Sequence, residues 1–137
     1  MTARRRRLVL LMPVLLLATS CGEVISGPTK LSGTQWKLDS LRSAAGVATT
    51  VDPERYTLQF TETLRVAARA DCNVCSGSYT VASIGISIGP LACSRQACAP
   101  GSRGNDYVSL LESAKLYSVE GDALILVSDS GSLLYRP

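Results

Sequence analysis

Apolar and polar residues alternate with a period of two over several short runs of this chain, and that pattern predicts strands. Trp36 and Leu38 alternate with Lys37 and Asp39, an alternation that Ser40 extends. Tyr56, Leu58 and Phe60 share one face of the next run, and Leu64 opens another that reaches Ala70. Runs at 78–81 and 84–88 follow, the second with Ile84, Ile86 and Ile88 on one face. Runs at 116–119, 123–127 and 133–135 complete the set. Thr61-Glu62-Thr63, Glu120-Gly121-Asp122 and Ser128-Asp129-Ser130-Gly131 separate neighbours by so few residues that antiparallel hairpins are implied.

One segment has a different period. Between residues 105 and 114, Tyr107, Leu110, Leu111 and Ala114 fall at i, i+3, i+4 and i+7, so one face of a helix is apolar. Ser102, Asn105 or Asp106 suits its N-cap, and Lys115 suits its C-terminal end. The expected fold is mainly β (α+β): an antiparallel sheet or partly open small β-barrel of seven or eight strands with one packed α-helix.

The first 29 residues stand apart from this pattern. Arg4, Arg5, Arg6 and Arg7 precede an apolar run at 8–17, broken only by Pro13. A membrane-spanning helix needs about 20 apolar residues, so the run suits the apolar region of a signal peptide. Ala18-Thr19-Ser20-Cys21 then resembles the lipobox of bacterial lipoproteins, in which the cysteine becomes the acylated N-terminus after cleavage. Residues 1–20 therefore read as a signal peptide for the general secretory route. Cys21 reads as the lipidation site, 21–29 as a Gly, Ser and Pro-bearing tether, and 30–137 as one domain. The expectation is attachment to the cell membrane with the domain on the extracytoplasmic side. Gly22, in place of the Asp typical of inner-membrane retention, is compatible with the outer membrane in a double-membraned cell.

Removing the leader changes the charge. Of the 14 basic residues four lie in 1–20, leaving 10 against 11 acidic ones, so the formal +3 becomes −1. A basic nucleic-acid surface is thereby excluded as an expectation. The chain has no histidine, which removes the commonest general base and the commonest metal ligand.

Five cysteines remain to be placed. With Cys21 given to lipid, Cys72 and Cys75 form C-N-V-C, and Cys93 and Cys98 form C-S-R-Q-A-C. Outside the reducing cytosol, paired thiols favour disulfides. The same four also approximate a four-thiolate zinc site, and C-x-x-C can be a redox pair. Against the last, Cys75 leads into a strand pattern and the motif opens no helix. Of the three disulfide connectivities, Cys72–Cys98 with Cys75–Cys93 is favoured, because the residue numbers of each pair sum to nearly the same value. Two antiparallel segments stitched twice have that property.

The order of these features resembles a known family. Leu31-x-Gly33-Thr34-x-Trp36-x-Leu38 is similar to the opening of the META domain, a small bacterial domain named for heat-shock and novobiocin-resistance proteins. Leu58-Gln59-Phe60, Cys72-Asn73, Gly77-Ser78-Tyr79, Ala97-Cys98, Tyr107 to Leu111, Tyr117, Gly121, Leu124-x-Leu126 and Leu133-Leu134-Tyr135 follow in the family's order. The resemblance implies a compact antiparallel β structure with one helix, and an association with envelope stress, drug tolerance, motility or secretion. It carries over no catalytic residues. Asp71 departs from the glycine usual before Cys-Asn, and Tyr107 stands where Phe is more usual. Cys75 and Cys93 are extra, which fits a second bridge beside the common one from Cys-Asn to Ala-Cys.

No group of residues assembles a nucleophile, a base and an oxyanion donor, so no enzyme is expected. Asp52 and Glu54, beside Pro53 and Arg55, read as a solvated turn; Asp106 and Glu112 lie on different sides of the helix; Ser109 has no base to activate it. Trp36 reads as core, Asn73 as a turn residue satisfying local backbone, and Arg65 and Arg69 as an exposed face. The expected function is that of a non-enzymatic envelope lipoprotein, monomeric and without cofactor, whose domain is an interaction or stress-tolerance module. Its partners are the membrane and an envelope protein. The alternatives are a binding module for an apolar small molecule, a lipid or a drug, inside a barrel lined by Ile84, Ile86, Ile88, Leu124 and Leu126, and a zinc-stabilised module.

Overall fold

The computed structural model describes residues 31–137; the expected signal peptide, Cys21 and the tether lie outside the described residues. Strands are β1 Gln35–Ser43, β2 Ala48–Thr50, β3 Tyr56–Phe60, β4 Arg65–Ala70 and β5 Asn73–Ala82. They continue as β6 Gly85–Ile88, β7 Ala92–Cys93, helix α1 Gly104–Glu112, β8 Leu116–Glu120, β9 Ala123–Ser128 and β10 Gly131–Arg136. Eight of them run antiparallel in the order β10-β9-β8-β6-β5-β4-β3-β1, and β1 returns to pair with β10. The barrel is thus closed rather than partly open, although β6 and β8 are joined through a single residue pair, Gly85 with Leu116. β2 and β7 lie beside the ring, on β1 and β5.

Period-two alternation puts one set of side chains inside. Leu58, Val66, Tyr79, Ile86, Ile88, Leu124, Leu126, Leu133 and Tyr135 are all buried in one cluster. β1 keeps Trp36, Leu38 and Leu41 inward despite their uneven spacing, because its register with β10 shifts between Leu38 and Ser40. That bulge inserts one residue and restores the face, so Leu41 rather than Ser40 continues the inward row. Tyr79, Leu38, Leu58, Leu124, Leu126, Leu133 and Tyr135 each keep at most 1% of their surface, so no water-sized void touches them. The barrel interior is filled with side chains. Ile84 does not belong to it: it sits in the turn between β5 and β6 and is 61% exposed.

Helix α1 closes one end through Tyr107, Leu110 and Leu111, as its apolar period predicts. Its N-cap is Arg103, which makes no side-chain cap bond, and Ser102 Oγ accepts instead from the Gly104 N–H at 3.2 Å. Lys115 pairs with Asp129 of the β9–β10 turn instead of facing the helix end. Tyr107 donates to the Thr57 carbonyl at 3.1 Å and accepts from Tyr135 Oη at 3.2 Å, and the Tyr56 ring meets it edge-on at 5.5 Å. Burial pushes the Tyr107 and Tyr135 hydroxyls well above the usual tyrosine range.

Strand direction sorts the loops. The start of β1 and the turns after β3, β5 and β8 share one end of the barrel. The turns after β1, β4 and β9 share the other with α1, where Leu110 touches Gly131 and Gly104 lies over Ala70.

Candidate functional site

The end closed by α1 carries the longest irregular segment among the described residues, 89–103, which leaves β6, runs along β5 and then enters the helix. Two disulfides fasten it. Cys75 bonds to Cys93 with a Cα–Cα distance of 4.0 Å, and Cys72 bonds to Cys98 with 5.5 Å. Both expected pairings are present. All four thiols are consumed by them, which removes the zinc and free-thiol redox readings at this site.

Asn73 adds a third fastening. Its Oδ1 accepts from the Gln96 N–H at 2.7 Å and from Ser94 Oγ at 3.0 Å, while its Nδ2 donates to the Gln96 carbonyl at 3.1 Å. The amide side chain therefore acts like one more residue of a strand, not as the local turn residue expected. The left-handed position belongs to Asp71, at φ 62°, in the two-residue turn between Ala70 and Asn73. This accounts for the departure from the family's glycine. A positive φ suits the first central residue of such hairpins, and Asp tolerates it better than most. Its carboxylate is buried and paired with Arg55, and its N–H donates to the Arg55 carbonyl at 2.8 Å.

Between this strap and α1 lies an open cleft of about 870 Å³, floored by Ala70 and the Cys75–Cys93 bridge. Ala92, Arg95 and Gln96 form one wall, and Asn105, Val108 and Ser109 the other. The register of β7 decides what the strap shows to it. Ser94 N–H donates to the Val74 carbonyl at 2.9 Å, so the flanking Cys75–Cys93 pair is a non-hydrogen-bonded one. The Cys93 N–H and C=O consequently point away from β5, toward the cleft. Leu91, two residues earlier on the same edge, donates its N–H to Glu112 Oε1 of the helix at 2.7 Å. Gly77 permits the close approach, since a Cβ there would meet Leu91 Cδ2 at 2.9 Å and the Pro90 carbonyl at 3.1 Å.

The remaining expected residues are dispersed. Trp36 is core and donates from Nε1 to the Leu31 carbonyl at 3.1 Å. Asp52 caps a short 3-10 turn at Pro53–Arg55 through the Glu54 N–H, and Glu54 pairs with Lys37. Asp106 pairs with Arg103. Arg65 and Arg69 both lie on the outer face of β4, and Arg69 Nε donates to the Asp71 carbonyl at 3.0 Å. Ser109 and Glu112 share one face of α1 by their i, i+3 spacing, and the strap's path over Gly77 makes that face a wall of the cleft. Among the described residues no cluster of side chains could hold a metal ion, and no helix is long and apolar enough to cross a membrane.

The same architecture recurs in solved structures. An NMR structure of a protein from Burkholderia xenovorans superposes with a TM-score of 0.67 at 22% identity, over 91% of this chain and 97% of that one. A DUF4847 family protein from Bacteroides vulgatus gives 0.59 at 8% identity, over 80% and 95% of the two chains. A lipocalin-like protein from Bacteroides uniformis gives 0.54 at 19% identity, over 77% and 96%. At these identities the likeness is one of fold. No curated protein matches the chain. The META domain profile, by contrast, matches residues 29–136, taking in every strand, the helix and both stapled cysteine pairs, and on that match the chain belongs to the META domain family.

Proposed function

We propose that this chain is a non-enzymatic, lipid-anchored module of the cell envelope, with Cys21 as the anchor, and that it binds a partner protein in the strap–helix cleft. The observation that carries this reading is the free edge of β7 in that cleft. An extended segment can add to a sheet edge by main-chain hydrogen bonds while neighbouring pockets read its side chains. Arg95 has no ion-pair partner among the described residues, so an acidic side chain in the segment suits the site. The filled interior supports a site outside the barrel, since an apolar ligand held within would have to displace packed Leu and Tyr side chains. A non-catalytic role is supported by the absence of histidine and by the structural engagement of Asp52, Glu54, Asp71, Asp106 and Glu112.

Photocrosslinking in the producing cell tests the reading. A crosslinking amino acid at position 95 or 109 yields a discrete adduct, whereas one at the exposed Val127, on the barrel wall, yields none. Equal labelling from position 127, or no adduct from either cleft position, overturns it.

A further inference from the structure

The barrel end opposite the cleft departs from ordinary turn chemistry at two of its three hairpin tips. The β5–β6 hairpin has a two-residue loop, Ser83-Ile84, between the paired Ala82 and Gly85. Such loops favour Asn-Gly, Asp-Gly or Gly-containing pairs. Here the loop holds a non-glycine residue at φ 57° and then a β-branched side chain that is 61% exposed. The β3–β4 tip places Leu64 at φ 59° and leaves it 44% exposed. A bulky residue with positive φ is an outlier, and an exposed leucine there has the wrong chemistry for both the backbone and the solvent. Its backbone is held in place regardless: the Leu64 N–H donates to the Thr61 carbonyl at 3.2 Å, and its carbonyl accepts from the Tyr79 N–H at 3.0 Å. Strain that the surroundings enforce is typical of functional sites. The third tip, Glu120-Gly121-Asp122, follows the usual rules, with Gly121 at φ 62°.

The β3–β4 tip lies next to the point where the chain enters the barrel, and the β5–β6 tip follows it around the same rim. β1 begins at this end, and Ser32 bridges to Phe60 at the edge of the β3–β4 turn. Leu31 lies only ten positions after Cys21, so the contour of the intervening chain is at most about 36 Å. We propose that this rim is a membrane-docking surface: Leu64 and Ile84 insert into the lipid interface beside the acylated Cys21 and hold the barrel end-on, with the cleft facing away. The inference rests on the anchoring part of the proposed function. Both signs of charge are present at the rim. Asp122 pairs with Arg136, while Glu62, Glu120 and Arg65 are exposed, so the occupant is the apolar interface of a zwitterionic bilayer, not an anionic lipid headgroup. With the tether holding the domain within that reach of the bilayer, a weak apolar contact is made at high effective concentration and can set the orientation.

The test uses the full acylated chain on phosphatidylcholine vesicles carrying brominated acyl chains, which quench tryptophan on contact. Two reporters are compared, Ile84→Trp at the rim and Val47→Trp at the opposite end, both at exposed turn positions. The added emission of Ile84→Trp is quenched severalfold more than that of Val47→Trp, and Leu64→Glu introduced beside Ile84→Trp removes the excess. Co-sedimentation with vesicles is read in parallel. Sedimentation with equal quenching of the two reporters overturns the docking surface alone. Failure to sediment overturns the anchor and the docking surface together, and leaves the cleft reading to its own crosslinking test.

Discussion

Tyr107 holds two hydrogen bonds where Tyr135 holds one, and that difference orders the cost of removing them. Tyr107→Phe strands the buried Tyr135 hydroxyl, at a cost of about 1–3 kcal/mol for an unsatisfied group, and takes a second donor from the Thr57 carbonyl, which keeps its place in the β3–β4 ladder. Tyr135→Phe leaves Tyr107 still bonded to Thr57 and costs about 1 kcal/mol. Urea midpoints of the two variants check the order. The same rings set the alkaline limit. Both titrate near pH 10 when unfolded, as for any exposed tyrosine, and higher when folded, because burial disfavours the phenolate. Their contribution to stability is therefore fully present below about pH 10 and falls as pH rises beyond it toward the raised folded values. Urea midpoints taken on either side of that pH should decline only on the alkaline side, and the decline should shrink in Tyr135→Phe. At Asp71 the asymmetry runs between partners. Arg55→Ala leaves a buried carboxylate without its cation and costs about 3 kcal/mol. Asp71→Gly relieves the left-handed backbone and leaves only a half-exposed guanidinium, so thermal melts should place it well above Arg55→Ala.

At the scale of elements, the two bridges are nested, and nesting makes them unequal. Cys75–Cys93 closes a loop with a sequence separation of 18, worth about 3 kcal/mol by chain entropy. Once it is made, Cys72–Cys98 closes only a small additional ring of about eight residues, worth about 2.5 kcal/mol. Replacing Cys72 and Cys98 by Ala should thus cost about 2.5 kcal/mol, and replacing all four about 6 kcal/mol, by denaturant unfolding under oxidising conditions. Most strands and the helix were legible because period-two and i, i+3, i+4 patterns report burial directly. What stayed hidden depended on contacts between distant residues. The bulge that moves the inward row from Ser40 to Leu41 needs β10 opposite it. Ile84 continues the alternation of Ile86 and Ile88, yet the β5–β6 turn falls on it, and periodicity does not see where a hairpin ends. β7 is two residues long and exists because Cys93 is stapled opposite Cys75, so no pattern could announce it. The cysteine pairing itself was readable from the constant sum that antiparallel stitching imposes. The cleft was not, since it depends on the route of a segment without periodicity.

For the whole molecule, closure rests on β1 meeting β10, strands that open and end the described chain. Gly131 sits at that junction at φ 147°, where a Cβ would lie 2.0 Å from the Arg42 carbonyl. Gly131→Ala must force the two backbones apart and should cost more than 2 kcal/mol, with the loss visible as faster amide exchange along β1 and β10. The closing pair has a further consequence, one of timing. Lys37 lies opposite Arg136, so the last ladder joins residues almost a full domain apart in sequence. Pairings of that separation are formed late and slowly, because the chain between them must be ordered first. Until β10 arrives, β1 and β9 are open edges, whereas the stretch from β3 to α1, with both cysteine pairs inside it, is already complete. A chain delivered N-terminus first can therefore be oxidised before it is shut, and the barrel remains an unclosed, self-adhesive sheet until its final residues are released.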